Sequence, residues 1–270
     1  MSTMRLSVLA LLAIGLASPA IAEVPCGVKT GCPIPGGAYR IAFPADGDVR
    51  GAFVYFHGWK GSADLQMEQR PLVAMTLAHH LAYVAVDGID GGWSFPGSPS
   101  ARRDEKRFIG GLFDDLRQRE HFTPDRIVIG GFSIGASMAW YTACQQGEKA
   151  AGMVTFSGVF WDPLPKASDC VSDVPPMVHF HGSADTTFPL AGRAIGKAFH
   201  QGDAFKSLAI MRQRSQCDVT HARQIVVGGV VCDDVPGCLR GDSIMCVHNR
   251  GHEAGAGWLD AGLTVLGFPK

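Results

Sequence analysis

The sequence has no excess of either charge and contains little charge altogether. Its 24 Lys and Arg residues oppose 25 Asp and Glu residues, and charged residues make up 18% of the 270 positions. Balanced charge offers no electrostatic surface for a phosphate backbone, so we expect no nucleic-acid partner. The hydrophobic content of 46% is also too high for a disordered chain, because it can bury enough apolar surface to offset the ordering entropy. The sequence therefore predicts a folded globular protein.

The sequence also lacks a hydrophobic run long enough to cross a bilayer. The apolar run at residues 6–16 is 11 residues long, whereas a transmembrane helix needs about 20. Arg5 precedes this run and Ala20-Ile21-Ala22 follows it, which is the pattern of a secretory signal with its cleavage site. We therefore predict that residues 1–22 are a signal peptide and that the mature domain spans residues 23–270. The mature protein is expected to be secreted, to the periplasm or the extracellular space, without a membrane anchor.

Paired C-x-x-C knuckles are absent too, so we expect no zinc ribbon. An even number of cysteines in an exported chain favours disulfides, although eight cysteines permit 105 pairings and the sequence does not choose among them. The pair closest together near the start of the mature chain, Cys26 and Cys32, is the easiest local assignment. The eight cysteines are Cys26, Cys32, Cys144, Cys170, Cys217, Cys232, Cys238 and Cys246.

Short apolar runs alternate with segments of helical periodicity along the mature chain. Continuous Val- and Ile-rich strands favour a mostly parallel central sheet with helices on both faces, and thus an α/β fold. No repeat or linker divides the chain, so we predict a single domain. The predicted strands are 52–56, 81–86, 126–130, 152–157, 177–181 and 243–248, and the predicted helices are 64–80, 104–120, 136–146, 190–201 and 257–266.

The segment Gly131-Phe132-Ser133-Ile134-Gly135 matches the G-x-S-x-G pattern. By itself this pattern is weak, but here it follows a predicted strand and opens a predicted helix, which is the context that a nucleophilic serine requires. The sharp turn needs glycine at both ends, because larger residues would collide with neighbouring backbone. Ser133 is therefore the predicted nucleophile, at a helix N-terminus that favours developing negative charge.

A serine hydroxyl needs a base to take its proton and an acid to orient that base. In a sheet of this kind both come from loops after later strands, in the order Ser, acid, His. We predict Asp185 as the acid and treat Asp162, one strand earlier, as its rival. His252, after the last strand, is the predicted base. His248 lies four residues before it, but Gly251 argues against a shared helix that could bind a metal, and we predict no metal site.

An oxyanion formed during attack needs hydrogen-bond donors that already point at it. The residue after the nucleophile supplies one, which predicts the N–H of Ile134. The loop after the first core strand, His57-Gly58-Trp59, supplies the second, and we assign it to the N–H of Trp59. We interpret His57 as a structural hydrogen-bonding residue rather than a second base.

Together, His57-Gly58-Trp59, Gly131 to Gly135, His181-Gly182-Ser183-Ala184-Asp185 and Gly251-His252 resemble the α/β-hydrolase superfamily, and more narrowly its secreted polyhydroxybutyrate depolymerase and feruloyl esterase group. The resemblance runs from about residue 36 to 265. It implies a serine carboxylesterase that needs no cofactor and cleaves hydroxyalkanoate oligomers or feruloyl-type esters. It also implies two disulfides, Cys144–Cys170 and Cys217–Cys238.

Several aromatic residues fall on or near loops expected at the rim of such a site. We predict that Trp59, Trp93, Trp161 and Phe188 contact the substrate, and Phe95 lies in the same region. The group often continues after its catalytic histidine with Thr-Trp-Pro-Gly, whereas this chain reads Glu253-Ala254-Gly255-Ala256, a difference that affects the shape of the pocket. Two other hypotheses stay open: a metal-dependent hydrolase, and a catalytically silent hydrolase-like fold that acts as a binding protein.

Overall fold

The alternation of side chains along the central strands explains why the central sheet is covered on both faces. In the strand Gly51–Phe56, Ala52, Val54 and Phe56 belong to one buried hydrophobic cluster, and Phe53 and Tyr55 belong to a second cluster. Successive side chains of a strand point to opposite faces, so a strand that is apolar on both faces needs a cover on each. The computed structural model, which describes residues 26–270, provides both covers. The predicted signal peptide, residues 1–22, lies outside the described residues.

The secondary structure consists of six helices and thirteen strands within residues 26–270, apart from short single turns. The strands are β1 (Cys32–Ile34), β2 (Gly37–Ala42), β3 (Gly51–Phe56), β4 (Leu81–Val86), β5 (Ile127–Phe132), β6 (Gly152–Phe156), β7 (Trp161–Asp162), β8 (Met177–Gly182), β9 (Ala194–Ile195), β10 (Phe199–Gln201), β11 (Arg223–Val227), β12 (Val230–Cys238) and β13 (Gly241–His248). The helices are α1 (Ala63–Met67), α2 (Arg70–Ala78), α3 (Glu105–Arg119), α4 (Ile134–Gln146), α5 (Ala204–Arg214) and α6 (Ala256–Val265).

Ten strands form one sheet in the order β1-β2-β4-β3-β5-β6-β8-β13-β12-β11. The six central strands, from β4 to β13, pair in parallel, and the two strands at each edge are antiparallel. The central strands therefore end at the same edge of the sheet, where the loops after them meet. The short strands β7, β10 and β9 form a separate small sheet.

Helices cover both faces of the large sheet, as the sequence predicts. Buried residues of α3, α4 and α5, such as Phe108, Trp140 and Leu208, belong to the first cluster. Leu72 of α2 and Leu259 of α6 belong to the second cluster. The prediction of a single α/β domain with a mostly parallel central sheet is thus confirmed.

The predicted helix at 190–201 is wrong. This segment forms β9 and β10, and the helix α5 follows it at Ala204. Gly192 and Gly196 adopt positive φ angles of 72° and 63°, which interrupt any helix there. The predicted helix at 64–80 is divided into α1 and α2, and the antiparallel edge strands were not predicted from the sequence.

Four disulfides join all eight cysteines. The local pair Cys26–Cys32 is present, and so are both pairs implied by the family resemblance, Cys144–Cys170 and Cys217–Cys238. The remaining pair, Cys232–Cys246, joins β12 to β13 at directly opposed positions of the antiparallel ladder. In the described part of the chain, no helix is long and apolar enough to cross a membrane.

Candidate active site

Ser133 occupies a strained turn between β5 and α4. Its φ of 57° and ψ of −128° lie in a region that residues with a side chain rarely adopt. The flanking glycines make the turn possible: a Cβ on Gly131 would come within 2.5 Å of the Gly135 carbonyl oxygen, and a Cβ on Gly135 would collide with the carbonyl oxygens of Phe56 and His57. The turn therefore presents Ser133 at the edge where the parallel strands end.

Asp185 lies on the loop after β8 and is fixed from three directions. Its Oδ1 accepts hydrogen bonds from the N–H groups of Thr187 at 2.9 Å and Phe188 at 2.8 Å, and its Oδ2 lies 2.7 Å from Nδ1 of His252. The side chain is fully buried. Burial acts to raise the pKa of Asp185, but the hydrogen bonds from His252 and Phe188 outweigh it and hold that pKa below its usual value. Asp185 is therefore an ionised acceptor for the imidazole.

His252 lies on the loop after β13, 67 residues from Asp185 in sequence. Because Asp185 is ionised, Nδ1 of His252 carries the hydrogen and donates it, which leaves Nε2 to accept a proton. The His252 ring also packs on Phe132, the residue before Ser133, with 4.5 Å between ring centroids. The fold thus brings Asp185 and His252 together, with the His252 ring against the residue that precedes Ser133. Ser133 Oγ itself makes no hydrogen bond to any described residue, and such contacts commonly shorten only when substrate binds.

The loop after β3 lies directly beside Ser133. A Cβ on Gly58 would lie 3.6 Å from Cβ of Ser133. The Gly58 carbonyl accepts hydrogen bonds from Nδ1 of His57 at 2.8 Å and from the N–H of Gly61 at 3.0 Å. In a planar trans peptide the next N–H points the opposite way. These two bonds therefore direct the N–H of Trp59 away from the loop interior.

His57 is a structural residue, as the sequence predicts. Its Nε2 accepts a hydrogen bond from the N–H of Gly88 at 3.0 Å, so the ring hydrogen is on Nδ1, which faces Gly58. Burial lowers the pKa of His57. The neutral ring is buried and does not face solvent as a base would. Its two hydrogen bonds hold the loop that carries Trp59.

A buried chain of hydrogen bonds runs beneath the acid loop. Trp140 Nε1 donates to Thr155 Oγ1 at 3.2 Å. The Thr155 oxygen lies 2.8 Å from Nδ1 of His179, and Nε2 of His179 lies 3.0 Å from Nδ1 of His181. The chain ends where Nε2 of His181 donates to the Phe188 carbonyl at 2.7 Å. Burial lowers the pKa of both histidines, so each ring is a neutral donor and acceptor. The loop that holds Asp185 is therefore connected to the core.

Sequence reasoning did not find this chain of hydrogen bonds. From the sequence, His179 and His181 are interpreted only as core or sheet-end residues, with no role in the site. A signal was available, because two histidines at alternate positions of a buried strand point to the same face and lie within hydrogen-bonding reach of each other. The partners Trp140 and Thr155 come from other elements and carry no such signal.

The four aromatic residues predicted to contact substrate occupy different environments. Trp59 is 52% exposed and lies next to the turn of Ser133 through Gly58. Trp93, Trp161 and Phe188 are buried. Their side chains make internal contacts, which corrects their assignment. Trp93 donates to the His57 carbonyl at 2.8 Å, Trp161 donates to Ser137 Oγ at 3.1 Å, and the Phe188 ring packs against Trp161 and His181. These three side chains support the walls of the site.

The rival acid and the histidine pair considered for a metal also have other partners. Asp162 lies 2.9 Å from Nδ1 of His200, on the small sheet. His248 stacks on Trp258 with 4.0 Å between ring centroids, and its Nδ1 accepts a hydrogen bond from the N–H of Arg250 at 3.2 Å. Among residues 26–270 no three His, Cys, Asp or Glu side chains lie close enough to hold a metal ion.

Comparison with known proteins identifies the fold. A family model described as Phospholipase/Carboxylesterase matches residues 106–217, a segment that includes Ser133 and Asp185. The structure of acetyl xylan esterase from Aspergillus awamori matches with a TM-score of 0.65 and 15% identity, over 86% of this chain and 94% of that chain. The chain has the α/β-hydrolase fold.

Two curated proteins resemble this α/β hydrolase in sequence. It is 27% identical over 169 residues, 60% of this chain, to NocK of Nocardia uniformis subsp. tsuyamanensis, which its name classes provisionally as an esterase. It is 34% identical over 80 residues, 29% of this chain, to acyl-protein thioesterase 1 of Saccharomyces cerevisiae. The match spans 48% of the length of the first relative and 35% of the second, about half or less.

Proposed function

We propose that this α/β hydrolase is an exported serine carboxylesterase. The observation that carries the proposal is the 2.7 Å contact between Nδ1 of His252 and Oδ2 of Asp185, made between loops that are distant in sequence and beside the strained turn of Ser133. A carboxylate that orients an imidazole beside an exposed hydroxyl at a helix N-terminus is the arrangement that acyl transfer requires. Four disulfides support export, because such bonds persist in oxidising compartments.

In the first half of the proposed reaction, Ser133 Oγ attacks the ester carbonyl carbon and Nε2 of His252 takes the hydroxyl proton. Asp185 stabilises the imidazolium that results. The carbonyl oxygen becomes an oxyanion, for which we assign the N–H groups of Ile134 and Trp59 as donors. The tetrahedral intermediate then collapses, His252 gives its proton to the leaving alcohol, and the acyl group remains on Ser133.

In the second half, water attacks the acyl carbonyl while His252 again serves as the base. The second tetrahedral intermediate releases the carboxylic acid and returns the proton to Ser133 Oγ. Every proton transfer in this cycle is between His252 and the reacting oxygens, so the chain's own side chains complete it.

For the substrate we propose an ester with a flat or extended apolar group, such as a feruloyl-type ester or a hydroxyalkanoate oligomer. Trp59 supports this class, because its half-exposed ring lies on the loop that also supplies an oxyanion donor. An exposed indole offers a large apolar contact surface at low entropic cost. The ratio of kcat/KM for methyl ferulate and for a hydroxybutyrate trimer decides between the two substrates.

The central test is Ser133→Ala, measured with p-nitrophenyl butyrate. We expect kcat to fall by at least about 10⁴-fold, because no other group supplies the attacking oxygen. A fluorophosphonate should label the unmodified protein once and the variant not at all. Ser207→Ala is the matched control and should keep both labelling and turnover, because the buried Ser207 hydroxyl donates only to the Asp203 carbonyl at the start of α5. Retained turnover by Ser133→Ala, or its continued labelling, would refute the nucleophile.

A further inference from the structure

A cavity lies beside α4, and Ser133 is not part of its walls. It has a volume of about 550 Å³, within the range of small-molecule sites. Neither Ser133, Asp185 nor His252 contributes to its walls. Its apolar walls come from the loop before α3, from one stripe of α4 and from the loop after β7, through Phe95, Pro96, Met138, Tyr141, Pro163 and Leu164.

One buried polar group on this cavity has no partner. Thr142 lines the cavity and is 2% exposed, and its hydroxyl oxygen makes no hydrogen bond within the described chain. A threonine inside a helix ordinarily bonds the carbonyl four residues earlier. Thr76 of α2 does so, donating to the Leu72 carbonyl at 3.0 Å. A buried hydroxyl without a partner costs free energy. A threonine in a helix can adopt two χ1 rotamers, so the Thr142 hydroxyl can recover this free energy by turning toward a ligand oxygen in the cavity.

The apolar walls of the cavity favour a neutral ligand. Glu105 is already paired with Arg103 at 2.8 Å. Lys106 and Asp169 are exposed, so water hydrates and screens their charges at the edge of the cavity. A charged ligand would lose its hydration against the apolar walls and would recover little of that loss from these two exposed groups.

The walls favour an aromatic ligand. The rings of Phe95 and Tyr141 stack with 4.7 Å between centroids, and Met138 lies on the same stripe of α4 as Tyr141. Aromatic rings and a methionine sulfur make favourable contacts with a further ring. We propose that this cavity is a second binding site, for a neutral single-ring aromatic molecule whose hydroxyl or carbonyl oxygen bonds Thr142. This inference does not depend on the proposed esterase activity.

The test uses 4-ethylphenol as the probe and NMR of the protein labelled with ¹³C in its methionine methyl groups. We expect the Met138 methyl signal, assigned through Met138→Leu, to shift saturably with a Kd below about 1 mM. Thr142→Val keeps the shape and removes the hydroxyl, so it should weaken binding by about 3- to 10-fold. Thr76→Val, the matched control, should leave Kd unchanged. Leu164→Trp fills the cavity and should abolish the shift.

A second measurement keeps the role of the hydroxyl testable without ligand. Because its hydroxyl is unpaired, Thr142→Val should raise the Tm of the free protein, whereas Thr76→Val should lower it. The proposal is overturned if Met138 does not respond at about 10 mM probe, if Thr142→Val binds as tightly as the unmodified protein, or if Leu164→Trp still binds. It is also overturned if fluorophosphonate labelling of Ser133 blocks the probe, since binding would then be at the active site. The titration with Ser133→Ala should give the same Kd whether or not the protein is an esterase.

Discussion

The loop that carries Asp185 and the loop that carries His252 are built differently. The Asp185 side chain is fully buried, both of its oxygens have partners, and the chain of hydrogen bonds through His181 holds its loop from below. The His252 side chain is 16% exposed, and its ring is held through Nδ1 and through contact with Phe132. Asp185 is therefore fixed through both of its oxygens, whereas His252 is fixed through one ring nitrogen and one ring contact. Substitutions on the acid side should act on kcat through the position of the imidazole.

The largest effect that would sharpen this comparison is expected from Asp185→Asn. The amide cannot stabilise the imidazolium and favours the wrong tautomer of His252, so kcat should fall by about 10⁴-fold with p-nitrophenyl butyrate. Asp162→Asn is the matched control, because Asp162 pairs with His200 on the small sheet, and its kcat should stay within about twofold. A large loss in Asp162→Asn with a small one in Asp185→Asn would reverse the assignment of the acid.

A smaller effect is expected from His181, which positions the acid loop without touching substrate. His181→Phe removes the donor to the Phe188 carbonyl, so the loop should shift and kcat should fall by about 10- to 100-fold while KM changes little. His181→Gln keeps an N–H donor near the position of Nε2 and should recover most of that loss. If both variants lose the same activity, or if KM alone changes, the loop is not positioned through this bond.

The sequence predicted where Ser133, Asp185 and His252 lie in the fold better than it predicted the surroundings of these residues. Ser133, Asp185 and His252 could be assigned because each follows a strand whose apolar run is plain, and parallel strands end at one edge. The aromatic residues Trp93 and Phe188 were placed at the rim because loop positions are usually exposed. Instead, a hydrogen bond from the indole to the His57 carbonyl holds Trp93 inward, and the Phe188 ring packs against Trp161 and His181. Such pairings depend on loop conformation, which no periodicity encodes.

Sequence reasoning missed the antiparallel strands at the edges of the sheet for a related reason. The strand β12, Val230–Cys238, alternates buried and exposed residues and carries Asp233 and Asp234, so it lacks the continuous apolar run of a central strand. Its place is fixed by antiparallel pairing with β13 and by the disulfide Cys232–Cys246. The family resemblance implied two of the pairings, and this fourth one was left open among the remaining cysteines.

The smallest effect concerns stability against acid, and it compares two buried carboxylates whose pKa values shift in opposite directions. Burial acts to raise the pKa of Asp185, but hydrogen bonds from His252 and Phe188 bring it below its usual value. Its contribution to the free energy of unfolding is therefore present above the ordinary carboxyl pKa of about 3.9 and is lost as pH falls through the lower folded value. Urea unfolding should show the difference between the unmodified protein and Asp185→Asn shrinking as pH falls from about 5 to 3.

Glu105 should behave in the opposite way and supplies the matched comparison. Burial raises the pKa of Glu105 despite its pairing with Arg103. The folded state then binds the proton more tightly than the unfolded state, so this group stabilises the fold increasingly as pH falls through its raised value. The difference between the unmodified protein and Glu105→Gln should grow as pH falls toward the ordinary Glu pKa of about 4.3, whereas that for Asp185→Asn should shrink at lower pH, below the ordinary Asp pKa of about 3.9. If the two stability differences change with pH in the same direction, His252 does not hold Asp185 ionised. The loop that carries Asp185 could then not be regarded as preorganised.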